Sequence, residues 1–211
     1  MVTLTSLRAH GSGDEVALGF EIRQGDDLQK ETVILSAKDF ADLHLSRGEV
    51  SEACFDAVLG VAARYAARKR AMYILTYGRC SEKRLSQKLR AKGVDCTVAD
   101  ETAACLAEEG YLDGKADALR EAEKDLQKLW GERRIIADLS AKGYDSRDVR
   151  EAIASLKKGG ADFAEICAER IRKKFGSLSD DPRERQKQIA SLERAGFSFS
   201  QIRGAMQNSD E

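Results

Sequence analysis

Three stretches of the sequence share one pattern and mark the ends of helices: Leu89-Arg90-Ala91-Lys92-Gly93-Val94, Leu139-Ser140-Ala141-Lys142-Gly143-Tyr144 and Leu192-Glu193-Arg194-Ala195-Gly196-Phe197. Each has a leucine, three variable residues, a glycine and a second apolar residue. Glycine tolerates the left-handed backbone conformation that closes a last helical turn, and the residue after it then packs back on the leucine. The pattern therefore predicts one unit, a helix stopped at glycine and followed by a second helix, used three times about fifty residues apart.

Capping residues mark further helix starts and other glycines mark further helix ends, so each unit is predicted to contain three helices. We predict a mostly α protein of three tandem three-helix repeats, each resembling a helix-turn-helix, in an elongated array. The predicted boundaries are 51–110 for repeat 1, 111–158 for repeat 2 and 159–211 for repeat 3. Predicted helices lie near 51–77, 81–92, 97–109, 115–130, 132–142, 146–158, 161–175, 182–195 and 199–207.

The first 50 residues follow a different pattern. Short runs with alternating or β-branched residues at 2–7, 15–22 and 32–35 are separated by glycine-rich turns. Ser36 is placed to cap a short helix that reaches residue 43. We therefore predict a small N-terminal antiparallel β-element with a short helix, packed on the helices that follow because three short strands are marginal alone.

Composition favours a globular protein with a helical core. Of 211 residues, 42% are hydrophobic and 34% are charged, and there is a single proline. No membrane span and no export signal is recognised, and five cysteines without a C-x-x-C pair are typical of reduced thiols. We expect a cytoplasmic protein.

Charge is unevenly distributed along the chain. Residues 1–63 carry 5 basic and 11 acidic residues, whereas residues 64–211 carry 30 basic and 25 acidic ones. The net charges are therefore −6 and +5. This asymmetry indicates a mildly basic helical region that suits an anionic partner, either nucleic acid or an acidic protein surface.

Three segments of the chain resemble the regulatory protein RecX family, whose members are cytoplasmic bacterial modulators of the RecA recombinase. Residues 79–93 contain an arginine, a serine-glutamate pair, spaced leucines and lysine-glycine. Residues 106–113 read Leu-Ala-Glu-Glu-Gly-Tyr-Leu-Asp, and residues 131–144 contain a glycine, an arginine pair and lysine-glycine in the family order. The chain departs from the family after residue 113, where an acidic residue and an aromatic-alanine pair are replaced by Gly114, Asp117 and Ala118.

This resemblance implies a protein that binds RecA or its filament on DNA and modulates filament growth, most commonly by inhibition. It also implies a role in homologous recombination, DNA repair and the SOS response. Weak direct contact with single- or double-stranded DNA is part of the expectation. No cofactor, metal or membrane partner is implied.

Basic residues that recur around each glycine closure are the candidates for the partner-binding surface, because equivalent charges in successive repeats form a stripe that suits an extended target. The same residues could instead solvate exposed faces or complement helix dipoles, above all Lys92 and Lys142 beside the closing glycines. The candidates are Arg79, Lys83, Lys88, Lys92, Arg133, Arg134, Lys142, Arg185, Lys187 and Arg194.

An alternative function is a helix-turn-helix DNA-binding regulator that acts without RecA. In such proteins the residues opening the second helix read base edges. Here those positions, 95–101 and 145–148, carry several carboxylates, which disfavours base readout.

Catalysis is not predicted, since His10 and His44 have no metal-ligand spacing and no adjacent nucleophile, and no phosphate-binding glycine loop is present. The aromatic residues before the first-helix glycines, Tyr77, Trp130 and Phe175, are predicted to pack in the core.

Overall fold

The computed structural model describes residues 1–11 and 13–207. Within these residues it contains four strands and ten helices, which confirms a mostly α protein with an N-terminal antiparallel β-element. The strands are β1 (Val2–His10), β2 (Glu15–Gln24), β3 (Asp27–Ser36) and β4 (Gly48–Val50). The helices are α1 (Ala37–Asp42), α2 (Glu52–Thr76), α3 (Glu82–Ala91), α4 (Cys96–Glu108), α5 (Gly114–Gln127), α6 (Glu132–Ala141), α7 (Ser146–Lys158), α8 (Phe163–Phe175), α9 (Pro182–Arg194) and α10 (Phe199–Gln207).

The chain forms two compact units. Unit 1 comprises Met1–Gly78 and Ser86–Ala103, and unit 2 comprises Arg79–Leu85 and the chain from Ala104 onward. The predicted triplets of helices follow in chain order as α2 to α4, α5 to α7 and α8 to α10. Each predicted helix is present to within a few residues at its ends, as expected when caps and glycines set the boundaries.

The N-terminal sheet has the strand order β3-β2-β1-β4, and every neighbouring pair is antiparallel. Its buried face packs on α2, where the Phe20 and Phe55 rings meet edge to face with centroids 4.9 Å apart. Strand β4, which pairs with the start of β1, was not predicted because three residues are too few to show alternation.

Helix starts in unit 1 confirm the predicted serine caps. The Ser36 hydroxyl accepts a hydrogen bond from the Asp39 amide, and the Ser51 hydroxyl accepts one from the Cys54 amide. Each bond satisfies an amide that has no partner within the helix. These caps set the two entry points from the sheet into the helical part of unit 1.

The glycine closures also form as predicted. Val94, Tyr144 and Phe197 each donate their backbone N–H to the leucine carbonyl five residues earlier, at 3.1, 3.1 and 3.2 Å. Gly93, Gly143 and Gly196 have φ angles of +81°, +82° and +95°. In this left-handed region a side chain would be strained. The three stretches therefore end helices α3, α6 and α9 in one geometry.

Two of the closures carry a contact that recurs between repeats in unit 2. At the first, the Ser81 hydroxyl at the start of α3 donates to the Lys142 carbonyl at 2.6 Å. At the second, the Gly131 amide at the start of α6 donates to the Ala195 carbonyl at 2.8 Å. In both, the start of a repeat's middle helix meets the residue before the closing glycine of the next repeat. We call these contacts the first joint and the second joint.

Candidate partner-binding surface

The ten predicted basic residues differ in how far internal contacts already use their charge. Four have carboxylate partners within the chain, namely Arg79, Lys142, Arg185 and Lys187. The other six have no carboxylate oxygen within 4.0 Å among residues 1–11 and 13–207, and they are Lys83, Lys88, Lys92, Arg133, Arg134 and Arg194. A cation that lacks an internal partner keeps its full charge for a ligand, so the second group is the stronger set of candidates.

Lys142 is engaged most fully. Its ammonium lies 2.6 Å from Asp138 Oδ2 and 2.7 Å from Glu121 Oε2. Burial alone would lower the pKa of Lys142, but the hydrogen bonds to these carboxylates outweigh it and raise the pKa above the ordinary lysine value. The residue therefore links α5 to α6 through ion pairs, a role that differs from the exposed or dipole-complementing roles predicted as alternatives from the sequence.

A second carboxylate lies beneath this cluster. The Asp125 side chain is completely buried and its Oδ1 lies 2.7 Å from Lys128 Nζ. Burial raises the pKa of Asp125 above its ordinary value, and the neighbouring Asp138 adds to the rise. For Asp138, burial is outweighed by hydrogen bonds from Lys142 and Asp125, which lower its pKa. The two carboxylates therefore titrate as a coupled pair in which Asp125 has the higher pKa.

We expect Asp125→Asn to raise the free energy of unfolding at pH 7 by about 1 kcal/mol, because the amide removes a buried carboxylate and can donate to Asp138. The folded-state pKa of Asp125 is raised, so its contribution to stability is present at low pH and is lost as the pH rises through that pKa. The gain should therefore shrink as the pH falls toward about 4. Urea unfolding across this range measures it.

Asp138→Asn is the matched control. The pKa of Asp138 is lowered in the folded chain, so its contribution is present above the unfolded value and is lost as the pH falls. This variant should lose stability at pH 7, mainly through the contact with Lys142. A change of the same sign in both variants at pH 7 would contradict the opposite pKa shifts of the two carboxylates.

Three other predicted residues also have internal partners. Arg79 lies 3.6 Å from Oδ1 of the buried Asp117, Arg185 donates to the Ser179 carbonyl at 2.8 Å, and Lys187 lies 2.6 Å from Glu184. Lys187 and Arg79 are largely exposed, so these pairs are weak and leave the side chains open to solvent.

The second joint brings arginines of two repeats together. Arg133 donates its backbone N–H to the Gly196 carbonyl at 3.1 Å, and Arg194 directly precedes Ala195, the acceptor of the Gly131 amide. Arg133, Arg134 and Arg194 are all exposed. We refer to these three residues as the arginine cluster. Exposed guanidinium groups that lack internal carboxylates suit binding to phosphate or carboxylate groups.

An aromatic residue adjoins the arginine cluster. The Arg134 guanidinium lies 4.0 Å from the centroid of the Trp130 ring, and Lys128 Nζ lies 4.7 Å from the same centroid. Trp130 is half-buried and packs on the core of unit 2, which confirms its predicted core role. Stacking on the ring holds the Arg134 side chain in place, so its charge is pre-organised for a partner.

Sequence reasoning missed one cation in this region. Arg170 on α8 donates to the carbonyls of Lys128 and Leu129 at 3.2 and 2.9 Å. Burial lowers the pKa of Arg170, and the nearby charge of Arg134 lowers it further. The only signal in the sequence is a charged residue within the apolar stripe of its helix. Arg170 closes the end of α5 and adds positive potential beneath the arginine cluster.

The remaining candidates lie elsewhere. In the first joint the side chain of Lys83 packs against Gly143, where a Cβ would lie 2.9 Å from Lys83 Cβ. Lys88 is half-buried and Lys92 is exposed, and both belong to unit 1.

The prediction that Tyr77 packs in the core was wrong, since its side chain is 77% exposed. Tyr77 is the C-cap residue of α2, directly after Thr76.

Two helix starts weigh against base readout. At the start of α4, Asp95 accepts hydrogen bonds from the amides of Thr97 and Val98. At the start of α7, Asp145 accepts one from the Arg147 amide. Carboxylates thus occupy the positions from which a recognition helix reads base edges, as caps of their own helices.

Two kinds of site are absent from the part of the chain that the structure describes. No helix there is both long and apolar enough to cross a membrane. No group of three or more His, Cys, Asp and Glu side chains in those residues is arranged to hold a metal ion.

Known proteins with similar sequence or structure point to one family. Residues 161–206 match the family model described as RecX, third three-helix domain. The regulatory protein RecX of Chromohalobacter salexigens is 31% identical over 134 residues, which are 62% of this chain and 84% of that protein. The regulatory protein RecX of Vibrio cholerae is 33% identical over 144 residues, which are 68% of this chain and 93% of that protein.

Solved structures share the fold. A crystal structure of regulatory protein RecX covers 100% of both chains with a TM-score of 0.75 at 18% identity. A crystal structure of RecX from Lactobacillus salivarius covers 70% of this chain and 97% of that chain, with a TM-score of 0.58 at 22% identity. The sequence matches and the three-helix repeats agree with the resemblance found in the sequence alone, and the chain belongs to the RecX family of regulatory proteins.

Proposed function

We propose that this chain binds the RecA recombinase, or the RecA filament on DNA, and inhibits filament assembly without catalysing a reaction itself. It acts in the cytoplasm, in recombination, DNA repair and the SOS response, and it needs no cofactor. The observation that carries the proposal is the arginine cluster, in which Arg133 and Arg134 of one repeat and Arg194 of the next, all exposed, lie at one joint.

A joint between repeats is a suitable place for such a surface. Its backbone is held by hydrogen bonds on both sides, so the attached side chains start from fixed positions. Arg134 is further restrained by the Trp130 ring. Binding then costs less side-chain entropy than it would at a flexible loop, and the charge is available for the carboxylates or phosphates of a filament.

The remaining unpaired candidates extend the proposal to other repeats. Lys83 lies at the first joint, and Lys88 and Lys92 lie at the end of α3. Lys142 is excluded from the primary surface because Asp138 and Glu121 already neutralise it. We assign Arg79, Arg185 and Lys187 a secondary role, since each must exchange an internal contact for a contact with the partner.

The proposal is tested by assembly of RecA filaments on single-stranded DNA, followed through the rate of assembly and the rate of ATP turnover. Addition of this chain should slow both rates in proportion to its concentration. Unchanged rates with the cognate RecA would reject the proposal. If the chain instead binds duplex DNA tightly without RecA, in a manner that weakens steeply with salt, the alternative of an independent DNA-binding regulator is correct.

A further inference from the structure

Helix α5 ends in the same geometry as the glycine closures, but a leucine takes the place of the glycine. Trp130 donates its backbone N–H to the Asp125 carbonyl five residues earlier at 3.3 Å, and Leu129 donates to the Leu126 carbonyl at 2.8 Å. Leu129 has a φ of +55°, in the left-handed region that glycine occupies in the other closures. A residue with a Cβ is strained in this conformation, so surrounding contacts must hold it there.

Arg170 on α8, in the next repeat, supplies such contacts. Its Nη1 donates to the carbonyls of Lys128 and Leu129 at 3.2 and 2.9 Å. The first of these residues caps the end of α5, and the second is the strained residue itself. Arg170 is half-buried and has no carboxylate within 4.0 Å among residues 1–11 and 13–207. A partly buried cation without a carboxylate is costly, so the hydrogen bonds to this turn are what stabilises it there.

The Trp130 ring connects this turn to the arginine cluster. Trp130 directly follows the strained residue, in the position that the apolar residue after glycine takes in the other closures. Its ring packs on the core of unit 2, and the Arg134 guanidinium lies 4.0 Å from the ring centroid. Leu129 and Trp130 share a peptide bond, so rotation of the Leu129 backbone into the ordinary helical or extended region would move the ring. Arg134 would then lose its stacking partner.

We infer that Arg170 is a positioning residue for the arginine cluster. It holds Leu129 in the left-handed conformation, which fixes the Trp130 ring and thereby the Arg134 side chain. Arg170 acts through the backbone of the turn and not through its own charge on a partner. The effect on a partner rests on the proposed binding of the RecA filament, whereas the position of the ring is a property of the chain alone.

Fluorescence of the full chain without RecA tests the position of the ring, because Trp130 is the single tryptophan. Arg170→Met removes both hydrogen bonds but keeps a long side chain. It should increase quenching of the tryptophan by acrylamide and shift the emission maximum to longer wavelength, as the ring moves into solvent. Leu129→Gly should change neither, since glycine adopts the left-handed conformation without strain. For the same reason, Leu129→Gly/Arg170→Met should return both signals toward those of the unmodified chain.

The same variants are compared in binding to the RecA filament on single-stranded DNA. Arg170→Met should weaken binding by about two- to tenfold, which is the effect expected when one more long side chain must be ordered on binding. Leu129→Gly/Arg170→Met should bind within about twofold of the unmodified chain, because the ring is again in place. If Arg170 attracted the partner by its charge, the double variant would instead bind as weakly as Arg170→Met.

Two results would overturn the inference. One is unchanged fluorescence of Arg170→Met, and the other is a double variant as displaced in fluorescence, or as weak in binding, as Arg170→Met. Thermal unfolding followed by circular dichroism shows which variants are folded. Arg170→Lys, which keeps the charge on a shorter side chain, takes the place of Arg170→Met if the latter unfolds. If the unmodified chain does not bind the filament, the proposed function fails, while fluorescence still decides whether Arg170 positions the ring.

Discussion

Gly131→Ala is expected to lower the free energy of unfolding by about 2–4 kcal/mol, which is large for a single added methyl group. Its φ angle of −77° is ordinary for any residue, so the backbone is not strained by the substitution. The new Cβ would, however, lie 2.3 Å from the Gly196 carbonyl carbon and 2.4 Å from the Phe197 nitrogen. Backbone atoms cannot rotate away as a side chain can, so the second joint must open.

Gly196→Ala should be at least as damaging. Its Cβ would lie 2.4 Å from the Arg134 nitrogen, and its φ of +95° is unfavourable for any L side chain. Opening of the joint should also lose the hydrogen bond from the Gly131 amide to the Ala195 carbonyl. Urea unfolding followed by circular dichroism measures both variants.

Gly60→Ala provides the matched control. Gly60 lies inside α2, has a helical backbone, and the nearest atom to its Cβ would be Arg64 Nη1 at 3.7 Å. Alanine is a better helix former than glycine, so this variant should gain about 0.5–1 kcal/mol. If Gly131→Ala were as well tolerated as Gly60→Ala, the second joint would not be the close backbone contact described.

Reversing the charge of Arg133 and Arg134 to Glu should weaken binding to the RecA filament on single-stranded DNA by about tenfold or more, and should relieve inhibition of assembly. Both residues are exposed and lie at one joint, and neither has a carboxylate within 4.0 Å in the part of the chain that the structure describes. Introduced glutamates would repel the same anionic groups that the arginines are proposed to attract. Filament assembly and ATP turnover, measured with each variant, report the effect.

Two further variants separate the site from general effects. Arg133→Glu/Arg194→Glu leaves the Arg134 stack on Trp130 intact and should weaken binding equally, so loss of that packing cannot explain the result. Lys38→Glu/Arg47→Glu changes the net charge by the same amount at exposed positions of the N-terminal region and should have little effect. Equal losses in all three variants would mean that net charge, and not the arginine cluster, sets the affinity.

Local signals account for what the sequence predicted well. A leucine, a glycine four residues later and an apolar residue after it determine a helix end within six residues, and all three closures formed. Serine caps and strand alternation act over equally short distances, so the helix starts and three of the four strands could be predicted.

Contacts between distant segments account for what the sequence did not predict. Gly131 and Gly196 are 65 residues apart, and nothing in either local sequence shows that their backbones touch. The same limit applies to the candidate site. Lys142 and Arg133 read alike as basic residues near a closure. Only packing shows that Asp138 and Glu121 neutralise Lys142, whereas no carboxylate of the described residues pairs with Arg133. Tyr77 was misjudged because its place before a glycine does not show which side of α2 it occupies.

The affinity of the full chain for single-stranded DNA coated with RecA, compared with the same DNA left bare, should be measured at about 0.15 M salt, where exposed charges are screened beyond roughly 8 Å. A regulator of the filament should bind the coated strand at least about tenfold more tightly than the bare one, since only the filament offers a protein surface to the arginine cluster. Equal or weaker binding to the coated strand would contradict a role in binding RecA.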